Sequence, residues 1–150
     1  MRTVHRDIVG GFIFSKDRRF LLGKNREGGV YEGLFVVPGG GVNDGETKEK
    51  ALQREISEET GIDINGAKIA PFYTSSGEHE KTLRDTGENV FVKMNFYDYR
   101  IDLSQNADEV TIKTDDDWYE PRWFYTSELN DVNLSKPIRN TLIAAGIIKS

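Results

Sequence analysis

Short apolar and β-branched runs, separated by polar turns, dominate the first part of the chain. Residues 7–14 and 20–24 flank the polar segment 15–19, and this pattern predicts a β-hairpin. A charged, glycine-containing loop over 25–33 then precedes a short apolar strand over 34–37. The chain therefore begins as a β-structure.

A helix is predicted next, after a break in regular structure at Pro38 and the three glycines 39–41. Thr47 is a suitable N-cap, and Lys48–Thr60 is rich in good helix formers. Gly61 stands where a left-handed C-terminal cap favours glycine.

The second half of the chain returns to strands and ends in a helix. Strands are predicted over 64–75 and 90–101, separated by a charged loop over 77–88, and a later strand near Trp118–Tyr125. Ser135 is expected to cap a final helix over 136–145, whose early proline is tolerated in a first turn. The order of strands, helix, strands and helix predicts a mixed α+β sandwich.

Composition narrows the class of protein. The 150 residues fit one domain, 1–150, and no apolar run approaches the roughly 18 to 20 residues of a membrane span. The N-terminus resembles a strand more than a signal peptide, and with no cysteine an oxidising compartment is not required, so we expect a cytoplasmic protein. The net charge of −5 weighs against binding of long nucleic acid, although a small anionic ligand needs only local cations.

Three glutamates cluster on the first predicted helix. With Glu55 placed at zero on a helical wheel, Glu58 lies near about −60° and Glu59 near about +40°. The apolar residues share that half of the wheel, whereas the opposite side holds Lys50, Gln53, Ser57 and Thr60. All three carboxylates are therefore expected to point toward the protein, unlike those of a solvated acidic helix.

Carboxylates so close together must protonate or find cations. Mg²⁺ or Mn²⁺ suits this need because hard cations prefer oxygen ligands. Glycines at 39, 40, 41 and 45 precede the glutamates and let the backbone approach a ligand closely, although alone they would indicate only a flexible turn.

The spacing of these residues resembles the Nudix box, GX5EX7REUXEEXGU with U aliphatic. Gly40, Glu46 and the run REISEETGI at 54–62 match every defined position. The hairpin start, FVVPGGG, EPRWF with its following Ser-Glu-Leu turn, and the terminal helix extend the likeness over most of the chain. The resemblance implies an α+β Nudix fold, with mixed β-sheets sandwiched between α-helices. It also implies a magnesium-dependent hydrolase that cleaves the diphosphate bridge of a nucleoside diphosphate linked to another group.

The same resemblance implies roles for the box residues. Glu55, Glu58 and Glu59 become metal ligands, together with the Gly40 carbonyl, and either Glu55 or Glu58 takes the proton of the attacking water. Arg54 is expected to orient these carboxylates and to pair with Glu46.

Many family members place a late-loop acid or histidine near the metals. The candidate here is Asp117 first, followed by Asp116 and Glu120, and a solvated acidic loop is the alternative at each position. His5 and His79 are isolated and are expected at the surface. The strand aromatics Tyr73, Phe91, Phe96, Tyr97 and Tyr99 are left unassigned, because alternating aromatics are more often core than base-stacking groups.

Substrate choice stays open at this point. The segment LLGKN resembles the phosphate-contacting stretch of GDP-mannose hydrolases, which makes Lys24, with Gly39, Gly40 and Gly41, a candidate substrate contact. The intact box favours attack on phosphorus over the glycosyl cleavage of those enzymes. ADP-ribose, a nucleotide sugar and a damaged nucleoside triphosphate remain candidates, beside a non-catalytic nucleotide sensor and action on RNA ends. A homodimer is expected by resemblance only.

Overall fold

The computed structural model of the protein describes residues 1–28 and 31–149. Its strands are β1 Arg2–Phe14, β2 Arg19–Asn25, β3 Phe35–Val36, β4 Gly39–Gly41, β5 Lys68–Thr82, β6 Asn89–Asp102 and β7 Trp118–Tyr125. Its α-helices are α1 Lys48–Thr60 and α2 Lys136–Ala144, and short 3-10 helices span Ala107–Glu109 and Thr126–Asp131.

One mixed sheet organises the described residues. Its strand order is β3-β2-β1-β6-β5, with β4 paired to β1 and β7 paired to β2. Strands β1 and β6 are parallel along their whole length, from Arg2 beside Val90 to Phe14 beside Asp102. The other pairings between strands are antiparallel. The long β1–β6 pairing thus forms the centre of the sheet.

Alternate residues of the central strands enter two different cores. Val9 and Ile13 of β1 pack with the apolar side of α1, and Phe12 and Phe14 pack with that of α2. Because successive strand residues point to opposite faces, the two helices cover opposite sides of the sheet. This arrangement confirms the predicted α+β architecture.

Both predicted helices are present. Thr47 Oγ1 accepts a hydrogen bond from Lys50 N at 3.2 Å, and Gly61 closes α1 with a left-handed φ of +74°. Helix α2 begins after Ser135, although the Ser135 hydroxyl makes no capping hydrogen bond, and ends at Ala144, one residue before the predicted end. The cap residues and the helix formers between them therefore define α1 correctly.

Two predictions about loops are wrong. The glycines at 39–41 form strand β4 and do not break regular structure, because their backbone pairs with Ile8, Val9 and Gly10 of β1. The charged loop predicted over 77–88 is only half as long, because β5 continues to Thr82 and the connection to β6 covers only 83–88. Conversely, the strand predicted to begin at residue 64 begins only at Lys68, and Ile64 is instead a buried core residue.

The remaining strand predictions are confirmed with small changes of boundary. The first hairpin and β7 lie where they are predicted, and the strand predicted over 34–37 is reduced to Phe35–Val36. Gly29 and Val30, inside the predicted loop over 25–33, lie outside the described residues. Neither α1 nor α2 approaches the length and apolarity of a membrane-spanning helix, and the same holds for the rest of the described chain.

Candidate active site

Helix α1 lies with two of its glutamates directly against strand β4. A Cβ atom on Gly40 would lie 2.5 Å from the carboxyl carbon Cδ of Glu55, so only glycine allows this approach. The backbone N–H of Gly39 donates a hydrogen bond to Glu59 Oε1 at 2.9 Å. The glycine run thus holds two of the three predicted metal-binding carboxylates at one place on the sheet.

Arg54 connects the box residues to one another. Its Nε and Nη2 each donate to a carboxylate oxygen of Glu46 at 2.9 Å, which is a bidentate ion pair. Its Nη1 donates to Glu55 Oε1 at 2.8 Å, and Nη2 also donates to the Gly41 carbonyl at 2.9 Å. One guanidinium therefore fixes the loop before α1, the end of β4 and a candidate metal ligand.

The Arg54–Glu46 pair leaves Glu46 firmly ionised. Hydrogen bonds from Arg54 and from the Asn43 backbone N–H lower the pKa of Glu46 to about 2. Hydrogen bonds to Glu46 and Glu55 raise the pKa of Arg54 above its ordinary value. Glu46 is thus committed to the arginine, as the sequence predicts for this pair of residues.

The surroundings of Glu59 shift its pKa in the opposite direction to that of Glu46. Its side chain is buried, with 7% exposed, and this burial raises its pKa to about 8. The Gly39 hydrogen bond opposes the shift, and the charges of Glu55, Asp115 and Asp117 add to it. Because a nearby cation would favour the ionised form, this site is chemically suited to a positive ligand.

Glu58 does not follow the expectation that all three carboxylates point toward the protein. Its side chain is 55% exposed and lies 3.5 Å from Arg54 Nη1 through Oε2. Thr60, placed on the solvent side by the wheel, is instead fully buried. Its hydroxyl donates to the Ile56 carbonyl at 2.6 Å and accepts from Ile62 N at 3.0 Å. Thr60, in the last turn of α1, is thus buried, whereas the Glu58 side chain is exposed to water.

The donor set is compatible with a hard divalent cation. Glu55 and Glu59 supply oxygen ligands beside Gly40, and Glu58 lies one turn away on the same helix. In residues 1–28 and 31–149, no three acidic or histidine side chains already stand in a metal-binding arrangement. Arg54 holds Glu55 and Glu58, and the Gly39 N–H holds Glu59, so each of the three carboxylates has a hydrogen-bond donor beside it.

The late acidic loop over 115–117 influences Glu59 through the charges of Asp115 and Asp117. Its described side-chain contacts are with other partners. Asp117 Oδ1 lies 3.6 Å from Arg26 Nη1, and Asp115 Oδ1 accepts from the backbone N–H of Asp117 and Trp118. Glu120 pairs with Lys24 at 2.9 Å. Asp117 and Lys24, both predicted site residues, are therefore each engaged by an oppositely charged neighbour. Asp116, the other candidate acid, is exposed, as His5 and His79 are.

A cavity of about 190 Å³ opens on the other side of β4. Gly39 and Gly40 form part of its wall, and most of the remainder is apolar. Asp98 of β6 and Thr141 of α2 contribute polar groups that the sequence analysis did not predict as site residues. No motif marks either residue, because the cavity is assembled from segments far apart in the chain. Gly40 therefore contacts both the Glu55 carboxylate and this cavity.

Comparison with known protein families identifies the family of this chain. A model of the NUDIX domain matches residues 4–144. The chain belongs to the Nudix family. It is a Nudix hydrolase, an enzyme that acts on phosphoric anhydride bonds.

Relatives with assigned names cover the Nudix chain almost completely. The nucleoside triphosphatase NudI of Escherichia fergusonii is 32% identical over 138 residues, which cover 91% of this chain and 94% of the relative. The protein of the same name from an Enterobacter strain is 28% identical over 144 residues, covering 95% and 98%.

Solved structures with low sequence identity share the Nudix fold. The dihydroneopterin triphosphate pyrophosphohydrolase of Escherichia coli superposes with a TM-score of 0.69 at 19% identity, covering 94% of this chain and 96% of the other. The NUDIX domain of NrtR from Shewanella oneidensis, complexed with ADP ribose, gives 0.67 at 16% identity, covering 96% and 86%. The predicted Nudix fold is thereby confirmed.

Proposed function

We propose that this Nudix enzyme is a magnesium-dependent pyrophosphohydrolase of nucleotides, and that nucleoside triphosphates are its first substrate class. Support for the substrate class comes from relatives that carry the name nucleoside triphosphatase and align over nearly their whole length. Mn²⁺ is the alternative metal, because it shares the preference for oxygen ligands.

The proposal depends on one juxtaposition. Gly40 separates the Glu55 carboxylate from the cavity by the thickness of a single backbone strand. A nucleotide whose base enters the cavity can therefore extend its phosphates across β4 to the glutamates. The glycines at 39–41 present no side chain along that path, which fits their predicted role as substrate contacts.

The box residues have distinct tasks under this proposal. Glu55, Glu58 and Glu59, with the Gly40 carbonyl, would hold the metal. Arg54, itself paired with Glu46, positions Glu55 and Glu58, and the Gly39 N–H positions Glu59. When bound, Mg²⁺ lowers the pKa of a coordinated water and neutralises phosphate charge. Glu55 or Glu58 accepts the proton of the attacking water, and Asp117 is the candidate base from the late loop. Lys24 contacts a phosphate once it leaves Glu120.

A nucleotide panel tests the proposal directly. The purified protein is incubated with the common ribo- and deoxyribonucleoside triphosphates, ADP-ribose and nucleotide sugars, with Mg²⁺, with Mn²⁺ and with a chelator. Metal-dependent release of pyrophosphate and nucleoside monophosphate is expected from triphosphates. Binding without turnover would favour the nucleotide-sensing alternative, and release of a free sugar would favour the GDP-mannose type of cleavage.

We expect Glu58→Gln to lower kcat by at least ~100-fold, because one charged ligand is lost from a metal-dependent reaction while side-chain size is kept. The exposed position of Glu58 predicts that the fold survives the change. Steady-state kinetics at saturating Mg²⁺ with the best substrate provides the measurement.

Glu49→Gln is the matched control, since Glu49 is an exposed acid in the first turn of the same helix. It should retain wild-type turnover. Wild-type kcat in Glu58→Gln would contradict its assignment as a metal ligand. The cytoplasmic location, the homodimer and the single domain over 1–150 remain predictions from sequence.

A further inference from the structure

The cavity beside Gly39 and Gly40 contains an acidic side chain that the glutamate site does not use. Asp98 lies on β6 opposite Gly10 of β1, and its Oδ2 accepts a hydrogen bond from Thr141 Oγ1 at 2.9 Å. Within residues 1–28 and 31–149, no group donates a hydrogen bond to Asp98 Oδ1. One carboxylate oxygen is therefore available to a molecule in the cavity.

Gly10 keeps this oxygen accessible. A Cβ atom at Gly10 would lie 2.9 Å from Asp98 Oδ1 and 3.4 Å from Val37 Cγ2. Any larger residue at this position would cover Oδ1 with a methyl group and reduce the cavity. The glycine and the aspartate together thus form an open acceptor at the wall of the cavity.

Fastening α2 to the sheet does not account for this carboxylate. Burial raises the pKa of Asp98 to about 6, against a lowering effect of the Thr141 hydrogen bond. The Thr141 hydroxyl has a single proton and also lies 3.1 Å from the Pro137 carbonyl, so it serves two acceptors in turn. A neutral amide would join strand and helix at a smaller desolvation cost, and a partly buried carboxylate with a shifted pKa in a cavity is typical of a functional site.

Size and lining define what this cavity accepts. Its volume of about 190 Å³ is below the ~300–1,000 Å³ of sites for drug-sized ligands, so it suits one flat ring system and not a whole nucleotide. Ile8, Val37, Phe96 and Ile138 supply apolar walls for such a ring. Among the described residues no lysine or arginine lines it, so the cavity offers no cation to a phosphate.

We propose that Asp98 Oδ1 accepts a hydrogen bond from an N–H or amino group of the substrate nucleobase and thereby sets the base preference of the enzyme. Thr141 is a positioning residue that holds the other carboxylate oxygen. This inference rests on the proposed function, because it assumes that the base enters the cavity while the phosphates reach the glutamates. A base that presents a lone pair at this point is rejected, because two acceptors face each other there.

The variant Asp98→Asn tests the inference, since it keeps the size of the side chain and removes its charge. We measure kcat/KM for triphosphates of adenine, guanine, cytosine, uracil and thymine with Mg²⁺. For the preferred base we expect a fall of about 10-fold, mainly through KM, because a neutral amide oxygen replaces the charged acceptor and its hydrogen bond to the base is weaker. For the poorest base the fall is smaller, so the differences in kcat/KM between bases decrease and their ranking flattens.

Asp102→Asn is the matched control on the same strand. Asp102 pairs with Arg100 and does not line the cavity. This variant should keep the wild-type ranking of bases. An unchanged ranking in Asp98→Asn would overturn the inference and leave the proposed hydrolase intact.

Two further outcomes are separated by binding measurements and by a second variant. If the wild-type protein hydrolyses no nucleotide, calorimetry with the same nucleotides decides. Kd values that differ between bases in the wild type and differ less in Asp98→Asn support the inference while the proposed function fails. Kd values that do not depend on the base overturn it.

If Asp98→Asn does not fold, Gly10→Ala replaces it, because its methyl group covers Oδ1. A flattened ranking supports the inference, and an unchanged one overturns it.

Discussion

Two carboxylates in this Nudix enzyme show how the surroundings of a single residue set its charge. Glu46 lies within a bidentate pair with Arg54, which lowers its pKa to about 2. Asp98 accepts a hydrogen bond from the neutral Thr141 hydroxyl, and burial raises its pKa to about 6. Ionised Glu46 therefore stabilises the fold at neutral pH, whereas ionised Asp98 lowers its stability.

This difference gives a pH-dependent prediction for Asp98→Asn. Below pH 3.8, the ordinary pKa, Asp98 is protonated in both the folded and the unfolded protein. As pH rises through about 6, the folded protein must give up a proton that the unfolded chain has already lost, and wild-type stability falls. The Asn variant lacks this loss, so we expect it to gain about 1–2 kcal/mol relative to wild type between pH 4 and 7.5, after allowance for partial exposure.

Thermal unfolding of both proteins at several pH values provides the measurement. The difference in Tm, variant minus wild type, should increase with pH. A difference that is constant with pH would contradict the raised pKa of Asp98. Because Glu59 is present in both proteins, its own titration cancels in this comparison.

At the residue scale, sequence reasoning succeeds where a residue acts through its neighbours in the chain. Arg54 and Glu46 are separated by two helical turns and a short loop, and the predicted pairing is present. The helical wheel misplaces Thr60 because its burial depends on a distant segment, whose Lys113 backbone N–H donates to the Thr60 carbonyl at 2.8 Å. Sequence patterns do not identify Asp98 as a site residue for the same reason, since β1, β6 and α2 meet only in the folded protein.

At the scale of elements, α1 and β4 form one unit. Local signals sufficed for α1, because its caps and its helix formers are contiguous in the chain. They failed for β4, since a run of three glycines has no strand propensity of its own. Its pairing arises from close backbone approach to β1, where a Cβ on Gly39 would collide with the Val9 carbonyl oxygen.

We therefore expect Gly39→Ala to destabilise the protein by about 1–3 kcal/mol, because the added methyl group forces β4 away from β1. Gly77→Ala is the control, since a Cβ at Gly77 in β5 meets nothing within 4 Å. That variant should remain within about 0.5 kcal/mol of wild type. Denaturant unfolding of both variants checks this, and equal stabilities would show that β4 is not closely packed.

The hairpin of β5 and β6 shows a second limit of local reasoning. Glu78, His79, Glu80 and Lys81 were predicted as loop because charge and polarity are typical of loops. They are exposed residues of β5, the last strand in the sheet order. Charged side chains at such an edge discourage pairing with other chains, so polarity there is compatible with a strand.

At the scale of the whole molecule, two cores share one sheet. Trp118 and Trp123 pack in the core beside α1, and Leu142 of α2 is fully buried in the other core. Both cores contain alternate residues of β1 and β2. Loss of one core should therefore destabilise the other through the strands between them.

This coupling predicts that Leu142→Ala, at a cost of about 2–5 kcal/mol, lowers the unfolding midpoint of both cores together. Tryptophan fluorescence reports the core beside α1, and far-UV circular dichroism reports the whole backbone. Coincident transitions by the two probes are expected for both variant and wild type. A separate early transition that leaves tryptophan fluorescence unchanged would contradict the predicted single domain.

The two helices lie on opposite faces of the sheet and meet different parts of the proposed substrate. Helix α1 carries the glutamates that we propose as metal ligands, and α2 borders the cavity through Ile138 and Thr141. Under the proposed function, substitutions in α2 and β6 would change which nucleotide is accepted and would leave the glutamates of α1 in place. Strand β4 borders both the Glu55 carboxylate and the cavity, so we expect it to be the segment least free to diverge when a descendant of this protein acquires a new substrate.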